Sequence, residues 1–244
     1  MDDIFNSFIV NKLYAHRGLH NKEAGIPENS LLAFEKAMEQ GYGIELDVQS
    51  LEDFTPVVFH DTRLSRMTGK DGYINNLKKE DLKNYPLLNS NQTIPTLQEA
   101  LAFIDGKVPV LIEVKNRFRA GNLENKLLEV LKNYKGDIAV VSFNPYVLSW
   151  FKHNAPHIYR GQISSFFDER KLSPIRKIFV KRLKLTRLSS PHFISYDAEN
   201  LPNRFVKRFK HLPLLAWTVR SQEDYLRVIQ YCDNVIFEGF IPKV

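Results

Sequence analysis

Cysteine is nearly missing from this 244-residue chain, with Cys232 standing alone. No internal disulfide can form, and nothing in the composition asks for an oxidising compartment. Long apolar runs are missing too, since no stretch approaches the roughly 20 residues that a membrane span requires. The opening Met1-Asp2-Asp3-Ile4-Phe5 is acidic and leads into no uninterrupted apolar core, unlike a secretory signal. Short-period repeats, low-complexity tracts and linkers are also lacking. These absences set the expectation of a soluble, cytoplasmic protein whose residues 1–244 form a single domain.

What is present suffices for a large core, at 43% hydrophobic and 12% aromatic residues. Lys and Arg outnumber Asp and Glu by 34 to 28, a formal charge of +6, which favours an anionic partner. A phosphate substrate, a nucleic acid or an anionic membrane would each satisfy that. The chain has no nucleic-acid-binding module or aromatic stacking platform, so nucleic acid is not expected as a partner.

Short β-rich runs alternate with stretches of helical periodicity. Eight strands are expected, at Leu13 to His16, Gly43 to Val48, Val108 to Lys115, Ile138 to Phe143, Ile158 to Ile163, Phe193 to Tyr196, Leu214 to Val219 and Val235 to Glu238. Helices are expected over Asn29 to Gln40, Leu97 to Ile104, Leu123 to Tyr134, Tyr146 to His153, Arg204 to Lys210 and Glu223 to Tyr231. Strands separated by helices require right-handed crossovers and a parallel sheet, and eight such units suit a closed (β/α)8 TIM barrel. The chemistry then belongs at the C-terminal strand ends. Two segments break the alternation. Residues 62–95 read as an insertion after the second strand, with a weak helical pattern at Lys78 to Lys83. Residues 171–187 are basic, with Leu172, Ile175, Phe179 and Leu183 spaced for one helical face. That face covers the barrel core, or else the helix lies on an anionic membrane.

Glu45 and Asp47 are two apart on a strand, so their carboxylates leave the same face and can converge on one ion. Glu113 and Lys115 repeat that pairing on the next major strand. Three carboxylates gathered at one barrel mouth repel unless a cation joins them, and oxygen ligands suit Mg²⁺ or Ca²⁺. His16 sits at a strand-to-loop transition and His60 ends an apolar run. Singly, each is more simply a structural histidine; together they form the acid/base pair that phosphoryl chemistry wants. Arg17 offers a planar fork for a phosphate and Lys115 a point charge. Trp217, near the end of its strand, is core packing or a pocket wall. Asp61 follows His60, and because adjacent strand residues point apart it is not expected to orient that ring.

Seven motifs carry a resemblance: His16-Arg17-Gly18, Pro27-Glu28-Asn29-Ser30, Glu45-Leu46-Asp47, His60-Asp61 with Leu64-Ser65-Arg66-Met67-Thr68-Gly69, Glu113-Val114-Lys115, Ser142-Phe143-Asn144 and Ala216-Trp217-Thr218-Val219. In this order, from Leu13 to the C-terminus, the chain resembles the glycerophosphodiester phosphodiesterase family. The resemblance implies a β/α barrel that hydrolyses glycerophosphodiesters to an alcohol and sn-glycerol 3-phosphate with one divalent metal ion. It also implies that His16 and His60 are the acid/base pair, that Arg17 and Lys115 bind the phosphate, and that Glu45, Asp47 and Glu113 hold the metal. The chain departs from the family pattern at Phe54, where glycine is usual, at Arg220, where asparagine is usual, and at Phe237-Glu238. Arg220 near the mouth would favour an extra negative charge on the substrate. Two alternatives stay open: lysophospholipase D-like hydrolysis at a membrane, with Phe166 and Phe167 on a lipid-facing rim, and a barrel that binds phosphodiesters without turnover.

Overall fold

Every strand expected from the sequence forms, with ends displaced by no more than about two residues, as is usual for strand and helix boundaries. The computed structural model describes residues 4–88, 90–116, 119–166 and 182–243. Eight parallel strands alternating with helices or helical turns make the fold class a (β/α)8 barrel. The chain divides into two compact units. One is Tyr14–Ile138; the other runs from Ala139 to the C-terminus and includes the residues before Tyr14.

In the first unit, β1 (Tyr14–His16), β2 (Gly43–Ser50) and β4 (Val110–Val114) are parallel, and β3 (Pro56–Val58) pairs antiparallel to β2. The antiparallel β3 was not among the expected strands, because three residues are too few to show a period. Helix α2 (Leu31–Glu39) starts where Ser30 Oγ accepts from Ala33 N at 3.1 Å, and buries Ala33, Phe34 and Ala37. Gly41, at φ +70°, follows its end. Helix α4 (Leu97–Ile104) opens on a capping box between Thr96 and Glu99. Helix α5 (Asn122–Leu131) follows β4.

The insertion leaves β3 through the short helix α3 (Ser65–Thr68) and 3-10 turns at Ile74–Asn76 and Lys79–Asn84. It has its own core of Leu51, Val57, Phe59, Leu64, Ile74, Leu77, Leu82, Leu87 and Ile94, with Met67 and Tyr85 packed against it. Each such side chain contributes roughly 1.5–3 kcal/mol by burial, so the insertion is anchored rather than draped. Phe54 takes φ +65° and is 41% exposed. That left-handed backbone is why glycine is the usual residue in this turn.

In the second unit, β5 (Ile138–Ser142), β6 (Tyr159–Ser164), β7 (Phe193–Asp197), β8 (Leu214–Val219) and β9 (Asn234–Phe237) are parallel. Helices α6 (Pro145–Asn154), α7 (Thr186–Ser189) and α8 (Gln222–Val228) lie between them. The opening helix α1 (Phe8–Asn11) is tied to β9, since Asn234 Nδ2 donates to Ile9 O at 2.7 Å and to Lys12 O at 2.6 Å. The helix expected at Arg204 to Lys210 is only a 3-10 turn, Val206–Phe209. Pro202 and Pro213 hem in that segment, and nothing in the turn is buried, so a costly helix nucleus has no packing to support it. Of the basic stretch, residues 171–181 lie outside the described residues, as does Phe167. Leu183 is buried, and Phe166 packs edge-on against Tyr196 and Phe205. Among the described residues, no helix is long and apolar enough to cross a membrane.

Candidate active site

Parallel pairing sets the register that gathers the carboxylates: His16 faces Glu45 across β1 and β2, and Asp47 faces Glu113 across β2 and β4. Glu45, Asp47 and Glu113 are 3%, 0% and 8% exposed, and one oxygen from each lies within 4.8 Å of the others. Burial raises the Glu45 pKa well above the carboxylate range, and the charges of Asp47 and Glu113 push it further. Asp47 moves the other way. Burial opposes its ionisation, but Lys115 and Arg17 outweigh that and hold its carboxyl well below the ordinary value. A buried, all-oxygen donor set in which one member resists ionisation fits a hard divalent cation, whose charge would favour the Glu45 carboxylate.

Lys115 Nζ stands 2.9 Å from Glu113 Oε1 and 3.0 Å from Asp47 Oδ1. Burial alone would lower its pKa, but the two carboxylates outweigh burial and raise it, so the ammonium is permanent. Arg17 reaches the cluster through its turn. Arg17 and Gly18 take φ +57° and +78°, and a Cβ on Gly18 would lie 2.9 Å from the backbone of Ala33, so the turn can press against α2 only with glycine there. That fold-back lets Arg17 N donate to Glu45 Oε2 at 3.1 Å and Nη1 donate to Glu28 Oε1 at 2.8 Å. Arg17 Nε lies 3.1 Å from Asp47 Oδ2, an ion pair not aligned as a hydrogen bond.

His16 is buried, with Nε2 3.9 Å from Glu45 Oε2. His60 lies just past β3, where Phe59 N donates to Asp47 O and Gln49 Nε2 donates to His60 O. Burial lowers the His60 pKa, against the pull of Asp47. One expectation is corrected here. Asp61 Oδ1 does contact the ring, 2.6 Å from His60 Nδ1. Strand alternation does not apply, because β3 ends at Val58 and the chain bends at His60.

Three further residues join the cluster, none given a site role by the sequence. Asn29 takes φ +55° and turns its amide on Asp47, with Nδ2 donating to Asp47 Oδ2 at 2.8 Å and Asp47 N donating to Asn29 Oδ1 at 3.2 Å. Glu28 pairs with Arg17, and Arg66 pairs with both Glu28 and Asp61. Pro27-Glu28-Asn29-Ser30 did signal a helix start, and Ser30 supplies the cap, leaving Asn29 free for Asp47. For Arg66 the only signal was its place in the motif.

Trp217 belongs to the second unit, on β8, with its ring edge-on to Phe143 at 5.4 Å. Its indole N–H has no hydrogen-bond partner among the described residues, nor does Gln162 Oε1. Arg220 is answered by another departure from the family pattern, since its Nη2 lies 3.4 Å from Glu238 Oε2.

Comparison with known proteins agrees with this geometry. A family model described as the glycerophosphoryl diester phosphodiesterase family matches residues 16–241. A glycerophosphodiester phosphodiesterase of Caldanaerobacter subterraneus is 36% identical over 229 residues, covering 88% of each chain. Among solved structures, an Oleispira antarctica phosphodiesterase in complex with the product sn-glycerol-3-phosphate superposes with a TM-score of 0.75 at 27% identity, over 94% of this chain and 93% of its own. A glycerophosphodiester phosphodiesterase of Thermotoga maritima gives a TM-score of 0.72 at 26% identity, over 92% and 93%. The chain belongs to the glycerophosphoryl diester phosphodiesterase family and is an enzyme of that family.

Proposed function

We propose that this enzyme hydrolyses small glycerophosphodiesters to an alcohol and sn-glycerol 3-phosphate, using one divalent metal ion and two histidines. The observation that carries the reading is the buried triad Glu45, Asp47 and Glu113 beside the permanent cations Lys115 and Arg17. Glu45, Asp47 and Glu113 hold the metal, Mg²⁺ or Ca²⁺, which when bound supplies Lewis-acid polarisation of a phosphoryl oxygen. Arg17 and Lys115 bind the phosphate and neutralise charge that builds on its oxygens. Of His16 and His60, one takes the proton from the attacking water and the other returns a proton to the departing alkoxide. Asp61 occupies the Nδ1 side of His60, which leaves Nε2 to exchange that proton. Trp217, by its position on β8, forms part of the substrate wall.

The protein is placed in the cytoplasm on its lone cysteine, and its substrate is a small-molecule glycerophosphodiester. Residues 171–187 are read as a basic stretch fit for peripheral contact with anionic lipid, on charge alone. The test is release of glycerol 3-phosphate from glycerophosphocholine and glycerophosphoglycerol by EDTA-treated protein, with Mg²⁺, Ca²⁺ or no metal returned. Metal-dependent release is the expected result. Absence of release under either metal contradicts the reading, and hydrolysis confined to lysophosphatidylcholine replaces it with the lysophospholipid one.

A further inference from the structure

Arg66 is the second residue of α3, in the insertion, and about half exposed. Surface arginines are commonly worth little, but this one uses its whole fork. Its Nη1 donates to Glu28 Oε2 at 2.9 Å, its Nη2 donates to Glu28 Oε1 at 2.6 Å, and its Nε donates to Asp61 Oδ2. Both acids are already committed to the site. Asp61 holds Nδ1 of His60 through its other oxygen, and Glu28 Oε1 also accepts from Arg17 Nη1. An unbroken line of polar contacts therefore runs from His60 through Asp61, Arg66, Glu28 and Arg17 to Asp47.

The base of this clamp is firm. Leu64, just before α3, is fully buried, and Met67 packs on the insertion core. Met67 O accepts from Leu88 N at 2.7 Å, and Gly69, at φ +68°, closes the helix by donating its N–H to Ser65 O. The insertion thus presents one guanidinium at a fixed place, bonded to two acids that lie 33 residues apart in sequence, Glu28 and Asp61.

We propose that Arg66 is a positioning residue of the reaction: through Asp61 it fixes the His60 imidazole and through Glu28 the Arg17 guanidinium, holding a proton-transfer group and a phosphate-binding group in one arrangement. The inference rests on the roles proposed above for His60 and Arg17. Without Arg66 neither acid keeps its orientation, and a misplacement on the order of 1 Å costs about 10²-fold in rate. Lysine cannot replace it, because one ammonium does not reproduce three N–H directions in a plane.

The experiment compares kcat and KM for glycerophosphocholine in wild type, Arg66→Ala, Arg66→Lys and His60→Ala, with melting temperature recorded for each. The expected result for Arg66→Ala is a fall in kcat of about 100-fold with KM changed by less than about threefold. Melting should stay within a few degrees, because the side chain is half exposed. Arg66→Lys should remain impaired, and added guanidinium ion should restore part of the Arg66→Ala rate. Arg66→Ala turnover within about twofold of wild type, or full turnover by Arg66→Lys, overturns the inference. So does a rate loss matched by a collapse of the melting transition. A fully active His60→Ala would instead contradict the proposed chemistry, so the two failures are told apart.

Discussion

Buried polarity differs in kind between the two units. From Tyr14 to Ile138 the strands β1, β2 and β4 bury His16, Glu45, Asp47 and Glu113, with Arg17 and Lys115 against them. From Ala139 onward the buried polar groups of the strands are mostly neutral: Ser142, Gln162, Ser164, Ser195, Thr218 and Asn234. The one buried charge in that unit among the described residues is Arg160, near the start of β6, where its guanidinium donates to the carbonyls of Pro156 and Ile158. Ionised groups are costly to bury unless paired. In the first unit acids and cations are interleaved, yet burial and the neighbouring acids Asp47 and Glu113 leave Glu45 resisting ionisation, whereas in the second the perturbed pair is Arg160 and His192, where burial and the guanidinium push the His192 pKa down to about 4. Under the proposed function the chemistry lies with the first of these sets of groups.

The sharpest way to break this contrast is to remove the histidines. His16→Ala and His60→Ala should each lower kcat by about 10²–10⁴-fold while keeping metal binding, because neither is a metal ligand in this account. Near-wild-type turnover in either variant would take the acid/base chemistry out of the first unit. A smaller and different effect is expected from Trp217→Ala in the second unit: KM raised by roughly tenfold with kcat within about threefold of wild type. A kcat loss as large as that of His60→Ala would show that the second unit shares in the chemistry.

The sequence disclosed this division unevenly. The alternation of Val110 to Val114 or Leu214 to Val219 with amphipathic stretches is long enough to show its period, so strands and barrel were legible. The triad was legible for a related reason, since i and i+2 on one strand share a face. Residues joined by tertiary placement were not. Asn29 looks like a helix cap until its left-handed backbone turns it toward Asp47. Arg66 meets Glu28 only once the insertion has folded on its own core. Asp61 was misjudged because a strand rule was extended past the residue where β3 stops. The pairing of Arg220 with Glu238 likewise joins β8 and β9 side by side, which neither segment reveals by itself.

The account rests on a metal held by the crowded carboxylates, and Glu45→Gln tests that most directly. Melting temperature is measured on EDTA-treated wild type and on the variant, each with and without Mg²⁺ or Ca²⁺. Wild type should gain stability with metal, about 2.7 kcal/mol at 100 times the dissociation constant. Metal-free Glu45→Gln should melt above metal-free wild type, because the variant removes a carboxyl whose ionisation burial and its acidic neighbours oppose. It should respond little to either metal and release almost no glycerol 3-phosphate. An equal metal response in the two proteins, or none in wild type, would contradict the assignment of Glu45, Asp47 and Glu113 as the metal site.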